Sequence, residues 1–286
     1  MNAKGKVIAT DLDGTLFFPK RRFRMLTTKN KRFLRNFIDE GGHLVIVSGR
    51  NHLFSKKVAM RLKRKIDVIG CNSAFIEVDG KTIKESTMEN AKLCQTLEKI
   101  KERFHPTGIF LMTKEYNMIV PKKEYWWPHR IGYIFYQLFQ GVYKEIAFRG
   151  DALIHNELKN GSIYKVMLFF GITKRAKERC MQYNKEMHKM YPDYEFAWCG
   201  ELIEMTNKGC TKAEGIKLYL DYLKIKHDNV MVVGDSGNDI SMFRDFQNSF
   251  CMSHASLHVS RYANHVIHSV CELEKYIDTN KEENYE

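Results

Sequence analysis

The chain has 286 residues, 44% hydrophobic and 12% aromatic, which describes a globular protein long enough to bury a core in each of two domains. Its longest apolar stretches, such as Tyr133 to Phe139, fall far short of a bilayer span, and its first residues form a charged, strand-like segment rather than a secretory signal; no membrane association and a cytoplasmic location are expected. The net charge of +12 is concentrated early: residues 1–83 hold 18 basic against 7 acidic side chains, whereas 205–286 hold 9 against 12.

In chain order, the apolar run Val7-Ile8-Ala9 predicts a buried strand that stops at Thr10-Asp11-Leu12-Asp13-Gly14-Thr15-Leu16. The pattern then predicts a helix over 28–40, a strand over 43–47 that runs into Ser48-Gly49-Arg50, a basic helix over 53–65 and a strand over 67–71. Such alternation belongs to a parallel sheet covered by helices, whose ligands sit at the carboxyl ends of the strands. From 84 to 202 the order changes: a helix over 88–104, strands over 108–112 and 117–120, a helix over 131–140, a strand over 163–170 and a helix over 174–190. The alternation then resumes with a helix over 211–223, a strand over 229–233, a helix over 239–246 and a strand over 249–252. The expected architecture is α/β, with a discontinuous core formed by 1–83 and 203–286 and a second α/β domain inserted at 84–202.

Two of these strands end on acids. Val230-Met231-Val232-Val233 runs into Gly234-Asp235-Ser236-Gly237-Asn238-Asp239, and a fold that joins this end to that of the first strand makes a carboxylate cage. Oxygen-only ligands of high negative charge suit a hard cation such as Mg2+, which keeps waters and shares its coordination with substrate phosphate. A carboxylate beside such a cation keeps a depressed pKa, leaving Asp11 free to attack phosphorus, and the Gly14 turn can swing Asp13 toward the leaving oxygen as general acid and later as base. Taken singly, Asp-Gly after a strand is also an ordinary turn.

Asp11 to Phe17 and Gly234 to Phe243 resemble the first and fourth motifs of the haloacid dehalogenase superfamily, with the spacing of its Cof-like phosphatase branch. Leu44 to Arg50 resembles the second motif and Asn207 to Lys212 the third, so four motifs in order reach from residue 7 to residue 243. The resemblance implies a Rossmann-like core with an inserted α/β cap, and a Mg2+-dependent phosphatase acting through an aspartyl-phosphate. It implies Asp11 as nucleophile and metal ligand, Asp13 as acid/base with its carbonyl on the metal, Asp235 completing the metal's protein ligands, and Asn238 and Asp239 at or just behind them. Ser48, the backbone N–H of Gly49 and Lys212 would meet the phosphate oxygens. On the residues alone, Ser48-Gly49 also reads as a plain turn, Lys212 as one solvated lysine among many, and Asp239 as the cap of the helix that follows it.

The resemblance has limits. Met252-Ser253-His254-Ala255 stands where the family usually shows a glycine and an asparagine before the alanine, and a near-terminal Asp-Gly is absent between His268 and Tyr276. The aromatic run Tyr125-Trp126-Trp127 reads either as a substrate-facing lip of the cap or as a seam within it. The basic clusters Lys20 to Arg24 and Arg61 to Lys65 read as solvated faces, or as a field that steers polyanionic substrates. Seven cysteines without a CxxC pair argue against a disulfide framework or a zinc site. No zinc-finger, helix-turn-helix or RNA-binding motif occurs, so no nucleic-acid partner is expected; the resemblance implies a small phosphorylated metabolite, a sugar phosphate or a phosphorylated cofactor, as substrate. Two alternatives stay open: a phosphomutase of the same superfamily, and a non-catalytic polyanion binder on a phosphatase scaffold. Intact Asp11 and Asp13 speak against the binder.

Overall fold

The computed structural model describes residues 2–17, 26–51, 61–120, 147–148 and 151–277. Lys20 to Arg24, most of the helix expected over 53–65, the aromatic run at 125–127 and the helix expected over 131–140 lie outside the described residues.

The first sheet has eight strands. In chain order they are β1 (Val7–Thr10), β2 (His43–Val47), β3 (Asp67–Gly70), β4 (Phe75–Val78) and β5 (Lys81–Glu85), followed after the insertion by β12 (Val230–Gly234), β13 (Ser249–Met252) and β14 (His265–Ile267). Across the sheet the order is β14-β13-β12-β1-β2-β3-β4-β5, parallel from β14 to β3 and antiparallel in the β4–β5 hairpin. Because successive side chains of a strand point to opposite faces, each buried strand feeds two cores. Ile8, Leu44, Ile46, Met231 and Val233 pack on one face with Phe33, Leu34 and Phe37 of helix α1 (Thr28–Asp39). Val7, Ala9, Val45, Val47, Val230 and Val232 pack on the other with Ile216, Tyr219 and Leu220 of a later helix. Helix α1 starts where the Thr27 side chain accepts from the Asn30 N–H at 3.2 Å.

The insertion builds a second, six-stranded sheet. Its members are β6 (Gly108–Thr113), β7 (Ile119–Val120), β8 (Ala147–Phe148), β9 (Ile163–Phe169), β10 (Tyr194–Cys199) and β11 (Leu202–Asn207), in the order β10-β11-β9-β6-β7-β8. Helices α2 (Asn90–Phe104), α3 (Asp151–Asn160) and α4 (Lys174–Met190) belong to the same unit. Leu93, Leu97, Ile100 and Phe104 of α2 meet Val166, Leu168, Ile203 and Met205 on one face of this sheet. The opposite face carries Phe110, Met112, Tyr164 and Met167, which pack on Cys71, Ala74 and Phe75 of the first domain. The second sheet thus lies over the first domain with one face against it.

The sheet pairings move the boundaries expected from the sequence. Strand β5 reaches Glu85 in the first sheet, and β11 pairs with β9 and β10, so 203–207 lie in the second sheet rather than in the core. Leu202 to Asn207 is half of a hairpin, and its partner strand holds it in the cap. No helix of the described residues is long and apolar enough to cross a membrane.

Candidate active site

The register of the first sheet assembles the site. Strand β1 lies between β2 and β12, with Thr10 opposite Ile46 on one side and Val233 on the other. The Asp11 N–H donates to the Val233 carbonyl at 2.8 Å, which holds the two acidic strand ends side by side. The next helix, α5 (Lys212–Leu223), begins at the third motif: Thr211 caps it by accepting from the Glu214 N–H at 3.2 Å, and its first residue is Lys212.

Lys212 Nζ lies 2.6 Å from Asp11 Oδ1 and 2.5 Å from Asp239 Oδ1, with both partners buried. Asp11, Asp235 and Asp239 each present an oxygen within 4.8 Å of the others. Asp239 uses its second oxygen on the backbone, accepting from the Asp235 and Ser236 N–H groups at 2.8 Å each. It thereby closes a capping box on the turn Gly237–Asp239 that carries Asn238, while making no side-chain cap to the helix that follows it, against the capping expected from the sequence. Gly234 is required here: a Cβ would stand 2.3 Å from Asp239 Cγ. Asp235 accepts from Thr15 Oγ1 at 3.0 Å on one oxygen and lies 3.3 Å from His254 Nε2 on the other. The sequence departure at Ser253-His254 therefore touches the cluster directly.

Asp13 is held apart from this trio. Its carboxylate makes a two-pronged pair with Arg50, Nε to Oδ2 at 2.5 Å and a terminal guanidinium nitrogen to Oδ1 at 2.7 Å, and its side chain is 43% exposed, open to an incoming group. The Ser48 hydroxyl accepts from the Arg50 N–H at 3.1 Å, which shapes the loop after β2. Gly49 lies beneath two buried cap residues: Lys165 on β9 donates to its carbonyl and pairs with Glu204 on β11 at 2.7 Å. Glu204 in turn accepts from Asn72 at 2.7 Å and from Asn238 at 3.3 Å.

Burial, reinforced by the neighbouring carboxylates, pushes the Asp11 carboxyl well above its ordinary range even though Lys212 pulls it down. Burial likewise raises Asp235, against the hydrogen bonds from His254 and Thr15. Lys212 moves up despite its own burial, since two carboxylates share it. Among the described residues Lys212 bonds only Asp11 and Asp239, so the protein groups by themselves leave the three crowded acids with a surplus of negative charge. That excess of negative charge on an all-oxygen donor set fits a hard divalent cation.

Asp11, Lys212 and the pair Asp235 and Asp239, from three separated motifs, come together; Asn238 sits in the same turn as Asp239 but bonds Ser236 and Glu204, and Ser48 and Gly49 follow the neighbouring strand β2. Thr15, Arg50, Asn72, Lys165, Glu204 and the role of His254 were not singled out from the sequence. Arg50 lay inside the quoted second motif, and the signal for Lys165 and Glu204 was a charge in an otherwise apolar strand.

A parallel sheet with an acidic cluster at its carboxyl edge, covered by an inserted second sheet, defines a capped α/β hydrolase. The chain belongs to the haloacid dehalogenase-like hydrolases, whose family profile matches residues 8–274. It is 23% identical over 279 residues to the pyridoxal phosphate phosphatase YbhA of Escherichia coli, covering 92% of this chain and 93% of that one. Among solved structures it superposes on SMU.1108c from Streptococcus mutans with a TM-score of 0.78 at 20% identity, covering 95% of this chain and 98% of that one. The subclass IIB sugar phosphatase BT4131 matches with a TM-score of 0.72 at 21% identity, over 95% of this chain and 98% of that one.

Proposed function

We propose that the protein is a Mg2+-dependent phosphatase that hydrolyses phosphate monoesters of small metabolites through an aspartyl-phosphate on Asp11. The observation that carries this reading is Lys212, buried and shared by Asp11 at the end of β1 and Asp239 in the turn after β12, with Asp235 in the same cluster. Asp11, Asp235 and the Asp13 carbonyl would hold the cation, with Asp239 behind them. When bound, Mg2+ would neutralise the surplus carboxylate charge and that of the phosphoryl group. Asp11 attacks phosphorus, and Asp13 gives a proton to the leaving oxygen, then takes one from the water that cleaves the acyl phosphate. Ser48, the Gly49 N–H and Lys212 meet the equatorial oxygens, where preplaced donors supply most of the rate. The relatives named for pyridoxal phosphate and sugar phosphates support a small phosphorylated substrate.

Phosphate release from a panel of phosphorylated metabolites tests the proposal. Asp11→Asn is expected to lose several orders of magnitude in turnover with its fold intact, chelation to abolish activity and Mg2+ to restore it, and Asp235→Ala to raise the Mg2+ requirement. Retention of more than a few per cent of turnover by Asp11→Asn would overturn the covalent route. Phosphoryl transfer to a sugar phosphate without net release, dependent on a bisphosphate activator, would favour a mutase.

A further inference from the structure

The cap contributes two charges that the proposed chemistry leaves unused. Lys165 and Glu204 are 1% and 7% exposed at their side chains and 2.7 Å apart, on adjacent antiparallel strands. Thr206 is the direct cross-strand partner of Lys165 and Glu204 lies two residues before it, so the pair is a diagonal one on the cap face turned toward the core. Burying such a pair costs desolvation that an apolar pair avoids, so stability is a poor reason for it.

Its contacts suggest another reason. Lys165 donates to the Gly49 carbonyl, in the loop that carries Ser48. Glu204 accepts from Asn72, whose backbone is left-handed at φ 55°, and from Asn238 in the fourth motif. Three core loops, each from a different strand end, therefore converge on one cap ion pair. Gly49 permits the approach, since a Cβ there would stand 3.0 Å from Glu204 Oε1 and 3.1 Å from Lys165 Nζ. Gly237 does the same under the Trp198 carbonyl, 2.3 Å from the position of a Cβ.

We propose that Lys165 and Glu204 are positioning residues that seat the cap on the loops of Ser48-Gly49, Asn72 and Asn238 and fix the phosphate-binding groups for phosphoryl transfer. The proposal rests on the phosphatase reading for its kinetic consequence alone. Directed N–H···O contacts, rather than buried charge as such, supply the geometry. A displacement of about 1 Å in such groups costs on the order of 100-fold in rate.

The test compares Lys165→Met, Glu204→Gln and the apolar double variant Lys165→Met/Glu204→Leu with wild type. Each single variant is expected to lose about 100-fold in kcat with KM changed less than about threefold. The double variant should recover the thermal midpoint, because no buried charge is left unpaired, and keep the kcat defect. Recovery of kcat to within about threefold of wild type in the double variant would reduce the pair to a structural role and overturn the proposal. If the single variants do not fold, the double variant carries the comparison, with Lys165→Arg expected to retain part of the activity. Hydrogen exchange reads the seating without turnover: amides of 48–51 and 71–74 should lose protection in the double variant while those of β1 and β12 keep theirs. Unchanged protection there would overturn the seating. A wild type that releases phosphate from no ester would refute the phosphatase reading and leave the exchange comparison decisive here.

Discussion

Arg50 holds both oxygens of Asp13, the group proposed to pass a proton to the leaving oxygen. A guanidinium can do this with a planar fork; a lysine cannot. Arg50→Lys is therefore expected to lower kcat by roughly 10-fold or more while the Mg2+ concentration for half-maximal rate stays within error, because Asp13's side chain is outside the acidic trio. An equal shift in metal requirement would show that Arg50 acts on the cluster instead. Asp67 offers a titration away from the site. Burial raises its carboxyl above the usual range, against the Asp79 N–H and the Tyr219 hydroxyl that bond it at 2.9 and 2.7 Å. A raised folded value gives stability that is complete below the unfolded value of about 3.9 and lost as pH climbs through the folded one. Asp67→Asn has no such loss: its amide oxygen still accepts from the Asp79 N–H, and its NH2 donates to the Tyr219 hydroxyl oxygen instead of accepting from it. Its thermal midpoint should gain on wild type as pH rises from about 4 to about 7, read by melts across that window.

Helix α5 links its own stability to chemistry, because its first residue is Lys212. Thr211→Ala removes the acceptor for the Glu214 N–H and should cost about 1 kcal/mol of stability, with a fall in kcat larger than that of a capping variant elsewhere, such as Thr173→Ala at α4. Thr211→Ser should restore both. Equal kinetic effects at the two caps would argue that the start of α5 tolerates fraying. Elements of this kind were legible in the sequence: 43–47, 174–190 and 249–252 were read at their observed ends, because long apolar periodicity or a clean apolar run fixes them. The β4–β5 and β10–β11 hairpins were not. Asp79-Gly80, both at positive φ, and Gly200 at φ 60° gave the turn signals, but the exposed Lys81 and Thr82 and the half-buried Ala197 and Trp198 blurred the alternation around them. The four motifs made the acidic cluster readable one residue at a time. What could not be read was which cap residues face it, since that depends on the seating of one sheet over another domain's loops.

At the scale of the molecule, the basic excess of residues 1–83 includes the cluster Arg61 to Lys65. Arg64 in the second cluster is engaged by Asp39 at 2.6 and 2.7 Å on the surface, a pair worth little in stability. The larger consequence is topological. Strand β1 pairs with β12 in register, Val7 opposite Val230, so the sheet centre closes only after the cap has been spanned. Non-local pairing of this sort is slow. On refolding from denaturant, phosphatase activity should therefore return later than the helical far-UV signal, followed by stopped flow and by timed assays; simultaneous return would place β1–β12 pairing among the early events.

Thr15 reaches across 220 residues to bond Asp235. During synthesis the strand that bears Asp11 leaves the ribosome before the whole cap, and Asp235 and Asp239 follow only after it. Throughout that interval a nascent chain carries the proposed nucleophile without the lysine and the acids that surround it in the folded protein. On the proposed mechanism, an emerging chain is expected to stay inactive until cap and core have both been delivered.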